Sequence, residues 1–283
     1  MRMFARIRLH SVVCLAGFTP SVAFCSSPTL TSTEIVSRSA AANTADWKAQ
    51  PEYAYRERSE TAKLASNGEI NSRQVKTYEV MMIEGSPYNR LISVNGEPLS
   101  AVQEQQEKRN LTREIKKRQS ESPSDRENRI AKYRKDRAEE RLLMQQMTSA
   151  FKFTLVGEQN VDGIACYVLD AKPDPDYKPP VEKARVLTGM EGRLYISKAG
   201  YHWVKVEARV ISPVDFGFFI AKVSPGTKFE LLQAPVGDVW LPKQFSQSVN
   251  ASVLGFYGVR SHEKDTFSEY HRAALDASAA RAN

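Results

Sequence analysis

Three dipeptides punctuate this chain: Asn67-Gly68, Asn95-Gly96 and Asp162-Gly163. Each separates two runs in which apolar and polar residues alternate. In "PEYAYRERSE" Tyr53, Tyr55 and Glu57 alternate with Ala54, Arg56 and Arg58, and in "RQVKTYEVMMIEG" Tyr78, Val80 and Met82 share a face. A period of two is that of a strand with distinct faces, and Asn-Gly or Asp-Gly supplies the left-handed residues of a tight hairpin. The chain is therefore expected to build an antiparallel meander.

Strands are expected again after residue 150. "FKFTLVGEQNVDGIACYVLDAKP" reads as a pair joined at Asp162-Gly163, and "GRLYISKAGYHWVKVEARVI" as a pair turning at Ala199-Gly200. The run "VDFGFFIAKV" reads as one strand leading through "SPG" to "TKFELLQAPV", with two further strands in "DVWLPKQFSQSVNASVLGFYGVRSHEKDTFSEYH". As a single strand, "VDFGFFIAKV" places Val214, Phe216, Phe218 and Ile220 on one face, and Asp215, Gly217, Phe219, Ala221 and Val223 on the other. A half-wetted strand shows polar residues at every second position. Here the second face is only partly polar, so the run reads as core or as pocket wall, with Tyr195, Trp203, Phe216, Phe218 and Phe219 the candidate lining residues.

Between the two sets of strands the period changes. From Ser100 to Met147 it is helical, with candidate capping boxes at Ser100/Gln103 and Ser124/Glu127 and a break at Pro123. Helices are expected over about 101–119 and 125–149, forming a hairpin inserted at about 100–149. Residues 104–141 carry thirteen Lys/Arg and nine Asp/Glu. Interspersed acids make a solvated, salt-bridged face the plain reading; a basic lid meeting anionic lipid headgroups is the sharper one. Leu142, Leu143 and Met147 supply the apolar anchor for such a lid.

The first 25 residues have the pattern of a secretory signal peptide: Arg2, Arg6 and Arg8, then a short apolar run, then small residues before Ser26. Removing these three cations lowers the net charge from +7 to +4. That modest balance argues against a nucleic-acid partner. Only Cys166 of the three cysteines then remains, so no intramolecular disulfide can form. It lies in an alternating strand and reads as a buried, inert thiol. Residues 26–45 are expected to be an N-terminal helix or linker, 46–272 a single domain, and 273–283 a disordered tail. No segment is long and apolar enough for a transmembrane helix.

No constellation of catalytic residues is evident. There is no nucleophile elbow, phosphate-binding loop, dinucleotide fingerprint or paired-histidine metal helix. His202, His262 and His271 lack ligand spacing, "SHEKD" at 261–265 is a weak triad signal, and "DPD" at 174–176 is too short to enclose calcium. The expectation is a non-enzyme with no cofactor and no metal site.

The order "YAYRERSE", "GEINSRQVKTYEVMMIEGSPYNRLISVNGEPLS", a charged helical stretch, "GRLYISKAGYHWVKVEARVISPVDFGFFIAKVSPGTKFEL" and "DVWLPKQF" resembles exported bacterial proteins of the LolA/LolB lipoprotein-carrier type. The resemblance spans about Asp46 to His271. It implies an α+β fold: a strongly curved antiparallel sheet, or half-barrel, covered on its concave side by helices. It also implies a lipid or acylated protein as partner. Two features depart from the carriers: the long charged hairpin, and Ser197 after Tyr195-Ile196 where an acid is common. The function expected is a periplasmic or secreted protein holding a lipid or lipid-modified polypeptide, with outer-membrane lipoprotein sorting as the role the resemblance implies. The alternative is a structural or interaction protein of the envelope, with a self-filled cavity and the hairpin as the surface for a protein partner.

Overall fold

Each turn dipeptide closes a hairpin. The structure, a computed structural model, describes residues 30–65, 67–216, 221–253 and 257–273. In chain order the elements are α1 (Ser32–Ala49), β1 (Tyr53–Leu64), β2 (Ile70–Ile83), β3 (Ser86–Val94), β4 (Glu97–Pro98), α2 (Ala101–Gln119) and α3 (Pro123–Ala150). They continue with β5 (Phe151–Val161), β6 (Ile164–Pro173), a 3₁₀ segment (Glu182–Gly189), β7 (Met190–Ser197) and β8 (Trp203–Val210). The last are β9 (Val214–Phe216), β10 (Ala221–Val223), β11 (Lys228–Val236), β12 (Val239–Val253) and β13 (Tyr257–Arg272). Asn95 and Gly96 have φ of 54° and 87°, and Asp162 and Gly163 have φ of 50° and 87°, the left-handed pair that a two-residue hairpin needs.

The thirteen strands form one antiparallel sheet in the order β4-β3-β2-β1-β13-β12-β11-β8-β7-β6-β5, with β10 continuing the line of β11 along β12 and β9 paired to β10. The sheet is open, ending at β4 and β5. The fold is α+β, a curved antiparallel sheet with helices laid on one face, as the sequence led one to expect. The first strand zips to the last, from Tyr53↔Arg272 to Lys63↔Ser261. The best-packed core lies between α1 and the second half of the sheet, where Ile35, Leu169 and Ile196 have no exposed surface. Burying a side chain of that size contributes about 1.5–3 kcal/mol.

Two expectations about elements are corrected. The two helices and the break between them are present as expected, but Pro123 opens α3 instead of lying in the break: Ser122, not Ser124, is the N-cap, and its hydroxyl accepts from the backbone N–H of Asp125 at 3.1 Å. Proline at the first helical position forfeits only a donor that has no partner there anyway. The run "VDFGFFIAKV" is not one strand. β9 and β10 pair with each other, Phe216 opposite Ala221, so the facing of residues 214–223 inferred from a single strand does not hold. Residues 217–220, which join them, lie outside the described residues, as do the signal peptide expected at 1–25 and residues 274–283 of the expected tail. The N-terminal helix also runs on to Ala49, beyond the boundary expected at residue 45.

The helical hairpin is held by arginines more than by apolar side chains. Arg118, 6% exposed, donates from Nη1 to the carbonyls of Ile83 and Ser86 at 2.9 and 2.8 Å, and from Nη2 to that of Pro87 at 3.3 Å. Arg129 donates to the carbonyl of Glu84 at 3.1 Å and to Ser86 Oγ at 2.7 Å. Gly85, at φ +85°, lets the β2–β3 turn come close beneath Ile130; an added Cβ would sit 3.1 Å from Ile130 Cδ1. The junction of α2 and α3 thus grips one hairpin turn of the sheet. Of the residues in α2, only Arg118 is buried.

Candidate functional site: the cleft between α1 and α3

Thr31 caps α1 in a reciprocal box with Glu34. The helix then buries Ile35, Ser39, Asn43 and Asp46 on one face, spaced as a helical stripe. Asp46 fixes the end of that stripe: one carboxylate oxygen lies 2.6 Å from His202 Nδ1 and the other accepts the backbone N–H of Trp240 at 3.0 Å. The His202 ring stacks on Trp240 with centroids 5.3 Å apart. At the other end Arg38 donates to the Tyr201 hydroxyl at 2.8 Å.

Helix α3 approaches α1 through Trp47. Arg137 donates to the Trp47 carbonyl at 2.5 Å and to Gln50 Oε1 at 3.2 Å, with its guanidinium 4.2 Å from the indole centre. One turn later the Arg141 guanidinium lies 5.1 Å from the same ring. Residues four apart share a helix face, so both arginines meet one indole.

Beyond this contact the helices part around a cleft of about 580 Å³. Trp203 lines it from the sheet, Ala40 and Thr44 from α1, and Met144 and Thr148 from α3, with Asn43, Trp47 and Arg141 contributing polar atoms. The volume falls in the range of small-molecule sites, and a mostly apolar lining with a few convergent polar groups is their usual character. Directly beneath α1 the space is filled: Val36, Met147, Phe153, Leu194 and Ile196 leave only about 10 Å³. The cleft opens beside α1 rather than under it.

The helix-bearing face continues beneath α3 onto β1 and β13. Tyr55 packs against Phe267 and Tyr270, with ring centroids 5.8 and 5.3 Å apart. Burial, with the charge of Glu57 second, pushes the Tyr55 phenol up to about 12. Burial first, and then the neighbouring charges of Asp265 and Glu263, raise the Glu57 carboxyl above its ordinary range. Burial also raises Asp265, helped by Glu263 and opposed by a hydrogen bond with Ser59.

The opposite face holds a larger groove of about 630 Å³. Its walls carry charges that are already paired: Arg193 with Asp170 at 2.7 Å and Arg209 with Glu191 across strands, while Glu207 and Glu230 both meet Lys205, at 2.5 and 3.5 Å. Such a self-neutralised ladder offers a ligand little that water does not already satisfy. The α1–α3 cleft is therefore the better candidate.

Of the residues singled out in the sequence, Trp203 and Met147 lie at the helix-bearing face, Trp203 lining the cleft and Met147 the filled space beside it. Tyr195 does not join them. It packs on the other face with Cys166, Val168 and Val204, and its hydroxyl meets Glu207 at 3.0 Å. Phe216 belongs to β9, and Phe218 and Phe219 lie outside the described residues. Leu142 and Leu143 are half-buried on α3. Asn43, Trp47 and Arg141 escaped the sequence reading. Their only signals are the i,i+4 spacings of Asn43 with Trp47 and of Arg137 with Arg141, which do not reveal that the two pairs meet.

Among the described residues the histidines assemble no catalytic set. His202 meets an acid, Asp46, while His262 Nδ1 meets Ser248 Oγ at 3.0 Å across β12 and β13. In "SHEKD" strand β13 alternates, so His262 points away from the face of Ser261 and Asp265. Among the described residues no group of three or more His, Cys, Asp or Glu is placed to hold a metal ion, and no helix is long and apolar enough to cross a membrane.

No protein-family model matches the chain, and no curated protein matches it. Among solved structures it is similar to a LolA superfamily protein from Nitrosomonas europaea, at 9% identity and a TM-score of 0.32 over 86% of this chain and 94% of that one. It is also similar to a DUF1329 family protein from Desulfovibrio piger, at 11% identity and a TM-score of 0.29 over 84% and 92%. A complex of MucA and MucB from Pseudomonas aeruginosa gives 10% identity and a TM-score of 0.22 over 85% and 98%. At these scores the likenesses say nothing about a ligand.

Proposed function

We propose that this chain is an exported, cofactor-free binding protein that holds a lipid, or the acyl part of a lipid-modified polypeptide, in the cleft between α1 and α3. The observation that carries the reading is an apolar-lined space of about 580 Å³ with Trp203 on its floor and its mouth beside a half-buried Trp47. Apolar side chains left in contact with an open space are stabilised when an apolar chain covers them. A place in outer-membrane lipoprotein sorting is the finer form of this proposal.

The test is purification without detergent, followed by native mass spectrometry and displacement of a fluorescent acyl probe. A co-purifying lipid, or saturable binding of the probe, is expected. Absence of both overturns the reading.

A second reading is supported by the filled space beneath α1 and by the largely exposed, charged surface of α2. Under it the protein is an interaction module whose hairpin is the partner surface. It gains if the hairpin, and not the cleft, is protected from hydrogen exchange by an envelope protein.

A further inference from the structure

We infer that the α1–α3 cleft recognises an anionic head on its apolar ligand, with Arg141 Nε and Trp47 Nε1 donating to the anion's oxygens. This rests on the cleft being a ligand site, and adds the chemistry of the ligand's polar end.

Among the described residues, five buried side-chain polar atoms have no hydrogen-bond partner in the protein, and three of them belong to this cleft: Asn43 Oδ1, Trp47 Nε1 and Arg141 Nε. Buried polar groups are almost always paired, so three such atoms around one space mark where a partner belongs. The geometry of Asn43 is fixed from within. The residue is 7% exposed, and its Nδ2 donates to the carbonyl of Ser39 at 2.9 Å and to Ser39 Oγ at 3.3 Å, leaving Oδ1 as the free acceptor.

Charge gives the sign. Arg137 is engaged by neutral acceptors, the Trp47 carbonyl and Gln50 Oε1, and Arg141 has no ion pair among the described residues. Of the acids nearby, Asp46 is held by His202 and Glu139 by Lys183, while Glu140 is exposed to water and forms no ion pair with either arginine. Two guanidinium groups stacked on one indole therefore lack a carboxylate. Stacking also fixes the guanidinium plane, which suits two-oxygen anions better than a flexible ammonium would. A carboxylate or phosphate oxygen pair matches the two donors, and Asn43 Oδ1 takes a hydroxyl or an ordered water beside it. The apolar remainder lies against Trp203 and Met144.

Isothermal titration of the whole protein with four twelve-carbon probes below their micelle concentrations tests this: dodecanoate, dodecyl phosphate, methyl dodecanoate and 1-dodecanol. At least one anion is expected to bind about tenfold or more tightly than the alcohol and the ester, the scale of one charge-assisted hydrogen bond. Arg141→Gln should erase that preference, bringing anion binding down to the level of the alcohol measured on the same variant. Trp47→Phe keeps the ring and should reduce the preference several-fold. A preference for dodecanoate supports a fatty-acid carboxylate as the source, and one for dodecyl phosphate a phospholipid-type head. Equal binding of all four overturns the anion inference while the cleft stands as an apolar site. So does an anion preference untouched by both substitutions. Binding of none of the four removes the cleft reading itself.

Discussion

Asp46 of α1 and His202, immediately before β8, sit 2.6 Å apart with Asp46 only 4% exposed. One buried carboxylate thus joins the helix to two hairpins, because its second oxygen holds the backbone of Trp240. Replacing it with alanine strands a backbone N–H and frees the imidazole. Asp46→Ala is expected to destabilise the protein by about 1.5–3 kcal/mol, as for hydrogen bonds to a charged group. Urea denaturation measures the loss, and limited proteolysis should show first cleavage moving into α1.

Arg118 is the second clasp. Lysine offers no planar fork for the carbonyls of Ile83, Ser86 and Pro87. Arg118→Lys should cost about 1–3 kcal/mol through donors and acceptors left unpaired. Hydrogen exchange should be graded along α2: fast from Ala101 to Thr112, slower around Arg118, and faster there in the variant. Uniform slow exchange along α2 would contradict this picture of the hairpin.

The carboxyls on β1 and β13 give a pH dependence of stability. Glu57 and Asp265 both have folded-state pKa values raised above their ordinary ones, chiefly by burial. A raised pKa means that the folded state binds the proton more tightly than the unfolded state. The favourable contribution is complete below the unfolded pKa and is lost as pH rises through the folded one. Glu57→Gln with Asp265→Asn should therefore raise the urea midpoint at about pH 7 and change it little at about pH 3.5. A double variant less stable at the higher pH would sink this assignment.

Cys166 has no exposed surface, and burial pushes its thiol up to about 11. Thiolate is the reactive form, so a thiol reagent should label it slowly in the native protein and promptly in urea. Rapid native labelling would show that the sheet opens at β6.

The sheet was legible because its signals are local. Asn95-Gly96 and Asp162-Gly163 each need only their own left-handed residues to close a hairpin, and the alternation on either side sets the faces. "VDFGFFIAKV" was misread because a continuous apolar run carries no alternation to locate its turn, so the hairpin of β9 and β10 looked like one strand. The break between α2 and α3 was legible, but the N-cap fell two residues late, because Ser122 and Ser124 each stand three positions before an acid and only Ser122, followed by Pro123, caps the helix. The cleft was illegible for a different reason. Asn43 and Arg141 are nearly a hundred positions apart in sequence, and only the docking of α3 on Trp47 brings them together. Nothing in either helix alone records that meeting.

The central claim is that an apolar chain lies in the α1–α3 cleft, and tryptophan quenching by a bromine-labelled fatty acid tests it most directly. The chain has three tryptophans; Trp47 and Trp203 line the cleft, whereas Trp240 stacks on His202 outside it. In proteins retaining one tryptophan each, the others replaced by phenylalanine, the labelled chain should quench Trp47 and Trp203 saturably and Trp240 weakly. Saturable quenching of Trp240 alone, or no quenching of Trp203, would contradict the account.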